Sequence, residues 1–263
     1  MDDAKALFGD VVKQDAGMAR ARLYNGLTEI QQGQVEVGRK EIEEAVKLDP
    51  GNARAQLLLG EVSLRSGNPA AAEKAALEVL RRNPSNVLAA ILLADSFVAR
   101  KEWKKGEQIY QAMMKQLPKS PVGYLKMGLS RKLQGKPKDA AEFFAQAVEK
   151  NPKDLTAINE YIFALAAAKE TAKAKKVLDE TVEKEPKNPL LWDMVGRFQL
   201  ASGKPAEAET AFLKSIELAP EFTAPYYQLG VIYAVQKKFP EAEKRLAKVI
   251  EQNDKNVGAH MLL

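Results

Sequence analysis

A single histidine, His260, is the first residue to test for chemistry, because imidazole is both a common general base and a common metal ligand. With one histidine in the whole chain, a two-histidine zinc motif such as H-E-x-x-H is impossible and no histidine-dependent triad is evident. His260 also falls where helix packing is expected. We therefore predict that it is structural or exposed, and not catalytic.

Two Gly-Lys-Pro triplets, at 135–137 and 203–205, are the nearest approach to a phosphate-binding loop. Neither has the earlier glycine or the following Ser or Thr that such a loop needs, so both are interpreted as turns between helices. Carboxylate pairs such as Glu43 and Glu44 are common, but neighbours on a helix do not face one another. The sequence predicts a non-catalytic protein with no metal and no cofactor.

The charge is mixed along the chain and does not form a one-sided basic stripe. There are 40 basic and 35 acidic residues, with a net charge of +5, and no stacking aromatic motif accompanies them, so nucleic acid is not predicted as a partner. No apolar run is long enough to insert into a membrane. The chain has no cysteine, which fits cytoplasm or periplasm. The localisation stays open, and an exported parent protein is one of the alternatives.

The elements that would position any site follow a strict proline period. Prolines recur every 34 residues, at Pro50, Pro84, Pro118, Pro152, Pro186 and Pro220. Asp254 holds the next position of the series. A period in this range indicates one supersecondary unit that is repeated and stacked. If each proline takes position 32, the repeats begin at residues 19, 53, 87, 121, 155, 189 and 223.

Other positions of the repeat support this phase. Position 8 is mostly glycine and position 20 is glycine or alanine throughout, as in Gly26 and Gly38, which predicts close approach of neighbouring helices there. Position 24 is large and apolar, as in Phe144 and Phe212, with Ala76 as the one small residue. Glycine at position 15 and proline at position 17 indicate a helix end and a helix start. Each repeat is therefore predicted as two helices, at positions 1–14 and 18–31.

These residues resemble the signature of the tetratricopeptide repeat family over nearly the whole chain. The resemblance is carried by Tyr124 to Leu129 with Ala140, Phe144, Ala147 and Pro152, and by Trp192, Gly196, Ala208, Phe212 and Pro220. It implies an all-α, right-handed superhelical solenoid of antiparallel helix pairs. Arg22, Asn25 and Glu29 depart from the pattern, so the first helix is expected to pack loosely or to be rotated.

The repeat phase also predicts the domain organisation. Residues 1–18 are expected to form the second helix of a truncated preceding repeat, because Ala4, Phe8 and Val11 fall on its core positions. Seven complete repeats are predicted at 19–52, 53–86, 87–120, 121–154, 155–188, 189–222 and 223–256. Residues 257–263 would begin a truncated following repeat. We expect the chain to be a piece of a longer array.

In the family that the chain resembles, the first helices of the repeats line a concave surface. The resemblance places positions 2, 5, 9 and 12 on that surface, where they form a largely aliphatic groove suited to an amphipathic helix or an extended peptide. The candidate partner-binding residues are Leu57, Glu61, Leu64, Leu88, Ile91, Asp95, Leu125, Leu129, Lys132, Asn159, Phe163, Asp193, Arg197 and Tyr227. The alternative is that part of this stripe packs against adjacent helices as core.

The predicted function is a protein- or peptide-binding scaffold that assists complex assembly, with a partner of unknown identity. The lysine and asparagine clamp with which some family members bind a C-terminal carboxylate is absent, because Phe163 follows Asn159 at position 9. The alternative is a structural segment that associates end to end through apolar terminal helices. The stretches at 19–38 and 45–50 also resemble the long bacterial repeat proteins of PEP-CTERM and exopolysaccharide systems.

Overall fold

The computed structural model describes residues 18–252 and 257–262, and these are helical throughout, with short turns. The first helices of successive pairs are α1 (Ala19–Gln31), α3 (Ala53–Arg65), α5 (Val87–Ala99), α7 (Val122–Leu133), α9 (Leu155–Ala167), α11 (Pro189–Ala201) and α13 (Thr223–Val235). The second helices are α2 (Val35–Leu48), α4 (Pro69–Arg82), α6 (Trp103–Gln116), α8 (Pro137–Lys150), α10 (Thr171–Lys184), α12 (Pro205–Leu218) and α14 (Phe239–Gln252). A short helix, α15 (Val257–Leu262), follows.

Consecutive helices pack as pairs, for example α1 with α2, α3 with α4, and α11 with α12. The predicted all-α class is thus confirmed. The second helices begin at position 17 of the repeat, one residue earlier than the sequence indicated. The division into seven repeats stays a prediction, and Ala4, Phe8, Val11 and Asp254 lie outside the residues that the structure describes.

The described residues form two compact units. The first contains residues 18–135 and 149–151, and the second contains 136–148, 152–252 and 257–262.

Short polar side chains fix where many of the helices begin. The Asn52 side chain accepts a hydrogen bond from the Ala55 amide at 3.1 Å, and Asn86 does the same for Ala89 at 2.9 Å. Such caps satisfy backbone donors that the first helical turn leaves free. Proline at the first helical position, as in α4, removes one of those donors altogether.

The turns inside the pairs share one left-handed residue at position 15. The residues with positive φ are Gly33, Gly67, Gly135 and Gly203, together with Lys101, Lys169 and Lys237. The four glycines confirm the predicted helix ends, and two of them belong to the Gly-Lys-Pro triplets, which are therefore turns. The three lysines adopt φ of 61 to 64°, a conformation that costs a non-glycine residue about 1–2 kcal/mol.

The small residues at position 8 make room for their neighbours in two ways. A Cβ on Gly26 would lie 2.7 Å from the Gly38 carbonyl oxygen, so α1 and α2 approach backbone to backbone. On Gly196 it would lie 2.4 Å from the Phe212 ring, so that glycine accommodates a side chain instead. The expectation that α1 packs loosely is wrong, since a 3.0 Å ion pair between Arg22 and Glu41 also joins it to α2. The alternative, that α1 is rotated, stays a prediction.

Candidate functional site

His260 and the carboxylates are the side chains that could act as a general base or hold a metal ion. His260 is exposed on α15. Within residues 18–252 and 257–262, no cluster of three His, Cys, Asp or Glu side chains could hold a metal ion. In the same part of the chain, no helix has the length and apolar character needed to cross a membrane.

In the first unit, the predicted residues line three adjoining cavities. The first cavity, of about 390 Å³, is lined by Leu27, Ala53, Arg54, Leu57, Leu58, Glu61 and Asn86. The second, of about 340 Å³, is lined by Glu61, Leu64, Arg65, Leu88, Ile91, Leu92, Asp95 and Lys126. The third, of about 310 Å³, is lined by Leu64, Asp95, Val98, Ala99, Tyr110, Lys126, Leu129, Ser130, Lys132 and Leu133.

Shared residues make the cavities one continuous surface along α3, α5 and α7. Glu61 borders the first and second cavities, and Leu64, Asp95 and Lys126 border the second and third. Every predicted residue of this unit except Leu125 is part of the lining. We call these three cavities the inner cavities.

Some of the leucines serve both the inner cavities and the core. Leu57 and Leu64 are partly buried against the cluster of Ala72, Ala76 and Leu92. Leu88, in contrast, is 62% exposed and Leu133 is 66% exposed. The predicted stripe is therefore part core and part open surface, and its exposed members include Glu61 on α3, Leu88 on α5 and Lys132 on α7.

Asp95 is the centre of a polar network between the second and third cavities. Its Oδ1 accepts a hydrogen bond from the Tyr110 hydroxyl at 2.5 Å, and its Oδ2 accepts one from Lys126 Nζ at 2.5 Å. Tyr110 is buried. Burial, and then the negative charge of Asp95, raise the pKa of the Tyr110 hydroxyl far above its ordinary value, so this hydroxyl stays a donor.

A second network, around Glu107, fixes α6 to α7. Glu107 is buried and accepts hydrogen bonds from Ser130 at 3.0 Å, from Arg131 at 2.9 Å and from Gln134 at 2.6 Å. A buried carboxylate is tolerated when it is paired and hydrogen-bonded in this way. The network holds the wall of the third cavity in place, and none of its members was among the predicted site residues.

In the second unit, four predicted residues form one cluster. Arg197 Nε donates to Asp193 Oδ2 at 2.9 Å, and its Nη2 donates to Asn159 Oδ1 at 3.0 Å. The guanidinium carbon lies 5.5 Å from the centroid of the Phe163 ring, a distance at which a cation is attracted to the ring face. The repeat pattern predicted all four side chains on the inner face, but it did not indicate that they contact one another.

Two residues of the second unit are less available than predicted. Asp193 is only 6% exposed, so it orients Arg197 and does not face a partner directly. Burial raises the pKa of its carboxyl, although Arg197 acts in the opposite direction. Tyr227 packs partly against the core cluster that contains Leu246 and Val249.

Comparisons with known proteins agree with this architecture. One model of the tetratricopeptide repeat matches residues 1–53, 25–78 and 57–121, and a second model of the same repeat matches 133–198 and 199–263. A comparison with curated proteins produced no significant match.

Solved structures with this fold come from distant proteins. A tetratricopeptide repeat protein from Parabacteroides merdae shares 16% identity at a TM-score of 0.61, over 93% of this chain and 97% of that one. Yeast Tom70 shares 15% identity at a TM-score of 0.73, over 95% of this chain and 56% of Tom70. Human IFIT1, solved as a dimer with m7Gppp-AAAA, shares 18% identity at a TM-score of 0.60, over 95% of this chain and 68% of that one.

At identities this low, the structural likeness establishes a shared fold and nothing further. The helix pairs, the repeat matches along the sequence and the structural neighbours nevertheless lead to one assignment. The chain belongs to the tetratricopeptide repeat family, whose members generally act as scaffolds for protein–protein interaction.

Proposed function

We propose that the inner cavities of the first unit bind a peptide segment of a partner protein, so that the chain acts as a non-catalytic scaffold in complex assembly. One observation carries the proposal. Eight residues chosen from the repeat pattern, Leu57, Glu61, Leu64, Leu88, Ile91, Asp95, Leu129 and Lys132, line three adjoining cavities on successive first helices.

The exposed leucines supply the driving force for such binding. Leu88 and Leu133 each expose more than half of their side chains, and full burial of a leucine contributes about 1.5–3 kcal/mol. Contiguous apolar surface of this kind is typical of interaction sites. Burial of two or three such side chains by aliphatic groups of a partner supports useful affinity.

The polar residues around the cavities favour binding over catalysis. Asp95 has both oxygens engaged, by Tyr110 and by Lys126, and Glu107 is occupied by three donors. The Tyr110 contact joins α5 to α6 and the Glu107 network joins α6 to α7, and neither carboxylate is left free as a base. A preorganised wall reduces the conformational entropy that a partner must overcome on binding.

A peptide suits the lining better than a nucleic acid does. The IFIT1 structure contains m7Gppp-AAAA, so ligands of this fold are not limited to peptides. Recognition of single-stranded nucleic acid uses aromatic side chains on which bases stack. Tyr110 is the one aromatic residue in the lining of the inner cavities, and it is buried.

The test begins with selection of peptides from a random displayed library against the immobilised chain. The affinity of the selected peptides is then measured by fluorescence polarisation for the wild type and for Leu88→Asp and Leu129→Asp. Loss of one buried leucine predicts about 10- to 100-fold weaker binding. Leu77→Asp, on the exposed face of α4, is the matched control and should bind as the wild type does. Equal loss in all three variants, or failure to select any peptide, rejects the proposal.

End-to-end association through terminal helices stays a prediction. Sedimentation velocity over a wide concentration range tests it, and a chain that stays monomeric throughout rejects it. The narrower resemblance to the PEP-CTERM repeat proteins likewise stays a prediction.

A further inference from the structure

The charged residues around the inner cavities are unevenly balanced. The lining contains four basic side chains, Arg54, Arg65, Lys126 and Lys132, and two acidic ones, Glu61 and Asp95. Arg54, Arg65 and Lys132 are exposed. Within the part of the chain that the structure describes, Arg65 makes no ion pair. The aliphatic floor is therefore bordered by a surplus of positive charge.

Lys126 is the basic group best placed to contact a bound segment. It lines both the second and the third cavity, and its side chain and that of Asp95 are 27% and 23% exposed. A partly exposed ion pair contributes little stability, because water screens it and two side chains must be ordered. The Asp95 carboxylate would keep its hydrogen bond from Tyr110 if Lys126 moved away. Lys126 can thus exchange partners at small cost.

The arrangement of the helices indicates the spacing of apolar groups in the segment. The inner cavities follow α3, α5 and α7, of which α3 and α5 pack against each other, and the axes of packed helices lie about 8–10 Å apart. An extended polyproline-II segment rises about 3.1 Å per residue with three residues per turn. Every third side chain therefore returns to the same face after about 9 Å. That spacing matches the separation expected between the neighbouring first helices α3 and α5.

We infer that the inner cavities take an extended, acidic segment with an aliphatic side chain at about every third residue, and that Lys126 turns from Asp95 to a carboxylate of this segment. The inference rests on the proposed function and adds the chemistry of the partner. Asp95 acts as an internal substitute that neutralises Lys126 when no partner is bound.

A displayed library tests the charge of the partner directly. Leucine is fixed at every third position, and Glu, Gln or Lys is allowed at the positions between. Selection against the wild-type chain should enrich Glu over Lys. Enrichment of Lys, or no preference among the three, overturns the inference while leaving peptide binding intact. Recovery of no binder at all rejects the proposed function instead.

Two substitutions with opposite effects test the role of Lys126. Lys126→Met should weaken binding of a selected Glu-containing peptide about two- to five-fold, the range expected of a partly exposed ion pair. Asp95→Asn still accepts from Tyr110 but releases Lys126, so it should strengthen the same binding. The matched peptide with Gln in place of Glu should respond to neither.

Lys74→Met, at an exposed lysine on α4, controls for general electrostatics, and circular dichroism checks that each variant is folded. An equal effect of Lys74→Met and Lys126→Met overturns the inference. So does a dimer in sedimentation experiments that dissociates on Leu88→Asp, since a second copy of the chain would then occupy the cavities.

Discussion

Substitution of Gly196 by alanine tests the packing on which the repeat pattern rests. The added Cβ would lie 2.4, 2.6 and 2.7 Å from three ring atoms of Phe212, whereas carbon atoms in good contact lie about 3.5–4.0 Å apart. Phe212 is fully buried, so the ring has little freedom to move. Overpacking of this kind costs about 1–3 kcal/mol, against a gain of about 1 kcal/mol in helix propensity.

Whether Gly196→Ala raises or lowers the free energy of unfolding depends on the Phe212 ring. A double-mutant cycle therefore isolates the contact between these two positions. With Phe212 present, Gly196→Ala should lower the free energy of unfolding by as much as about 2 kcal/mol. In the Phe212→Ala background the obstacle is gone, and the same substitution should stabilise by about 1 kcal/mol through helix propensity. The expected coupling energy is therefore about 1–3 kcal/mol.

Urea unfolding followed by far-UV circular dichroism measures the four proteins of this cycle. All are compared in the same concentration of a stabilising osmolyte, because Phe212→Ala alone costs about 3–5 kcal/mol. A second cycle with Leu213→Ala, which removes a side chain that is 38% exposed, should show no coupling. Additive free energies in the Phe212 cycle would refute the assignment of positions 8 and 24 as packing partners.

Two further predictions concern a carboxylate and a turn. Burial raises the pKa of the Asp193 carboxyl above its ordinary 3.8, so the folded protein binds a proton there more tightly than the unfolded chain does. The free energy of unfolding should therefore fall as the pH rises from the unfolded pKa to the raised pKa of the folded protein. Acidification from neutral pH should thus stabilise the wild type relative to Asp193→Asn in urea unfolding, and the opposite trend contradicts the assignment. Gly67 has φ of +76° with open space around it, so Gly67→Ala should lower the free energy of unfolding by about 1 kcal/mol through backbone strain alone. Ser66→Ala beside it is the control and should change stability by less than about 0.5 kcal/mol, and equal effects of the two substitutions contradict a strained turn.

Much of the fold could be predicted because repetition reveals the helix boundaries. Pro69, Pro137 and Pro205 occupy the same position, and each begins a second helix. The glycine prediction at position 15 was incomplete, because Lys101, Lys169 and Lys237 adopt the same conformation. Propensity alone does not indicate lysine there. The packing of the flanking helices outweighs the local cost.

The candidate site was predicted more coarsely than the fold. Repeat positions identified which residues face the inner cavities, but they did not identify the ion pairs between successive helices. Lys126 stands at position 6, which is leucine in the two preceding repeats, and its partner Asp95 lies on another helix. A usable signal did exist at position 21, which is glutamate in four repeats. Glu73 and Glu107 of that column pair with Arg100 and Arg131.

Leucine methyl NMR, during titration with a peptide selected against the wild-type chain, tests the central claim most directly. The account predicts that methyl signals of Leu64, Leu88 and Leu129 shift together and saturate at the same peptide concentration. Signals of Leu77 on α4 should stay unchanged. Shifts confined to Leu77 and other leucines of the second helices would contradict binding at the inner cavities.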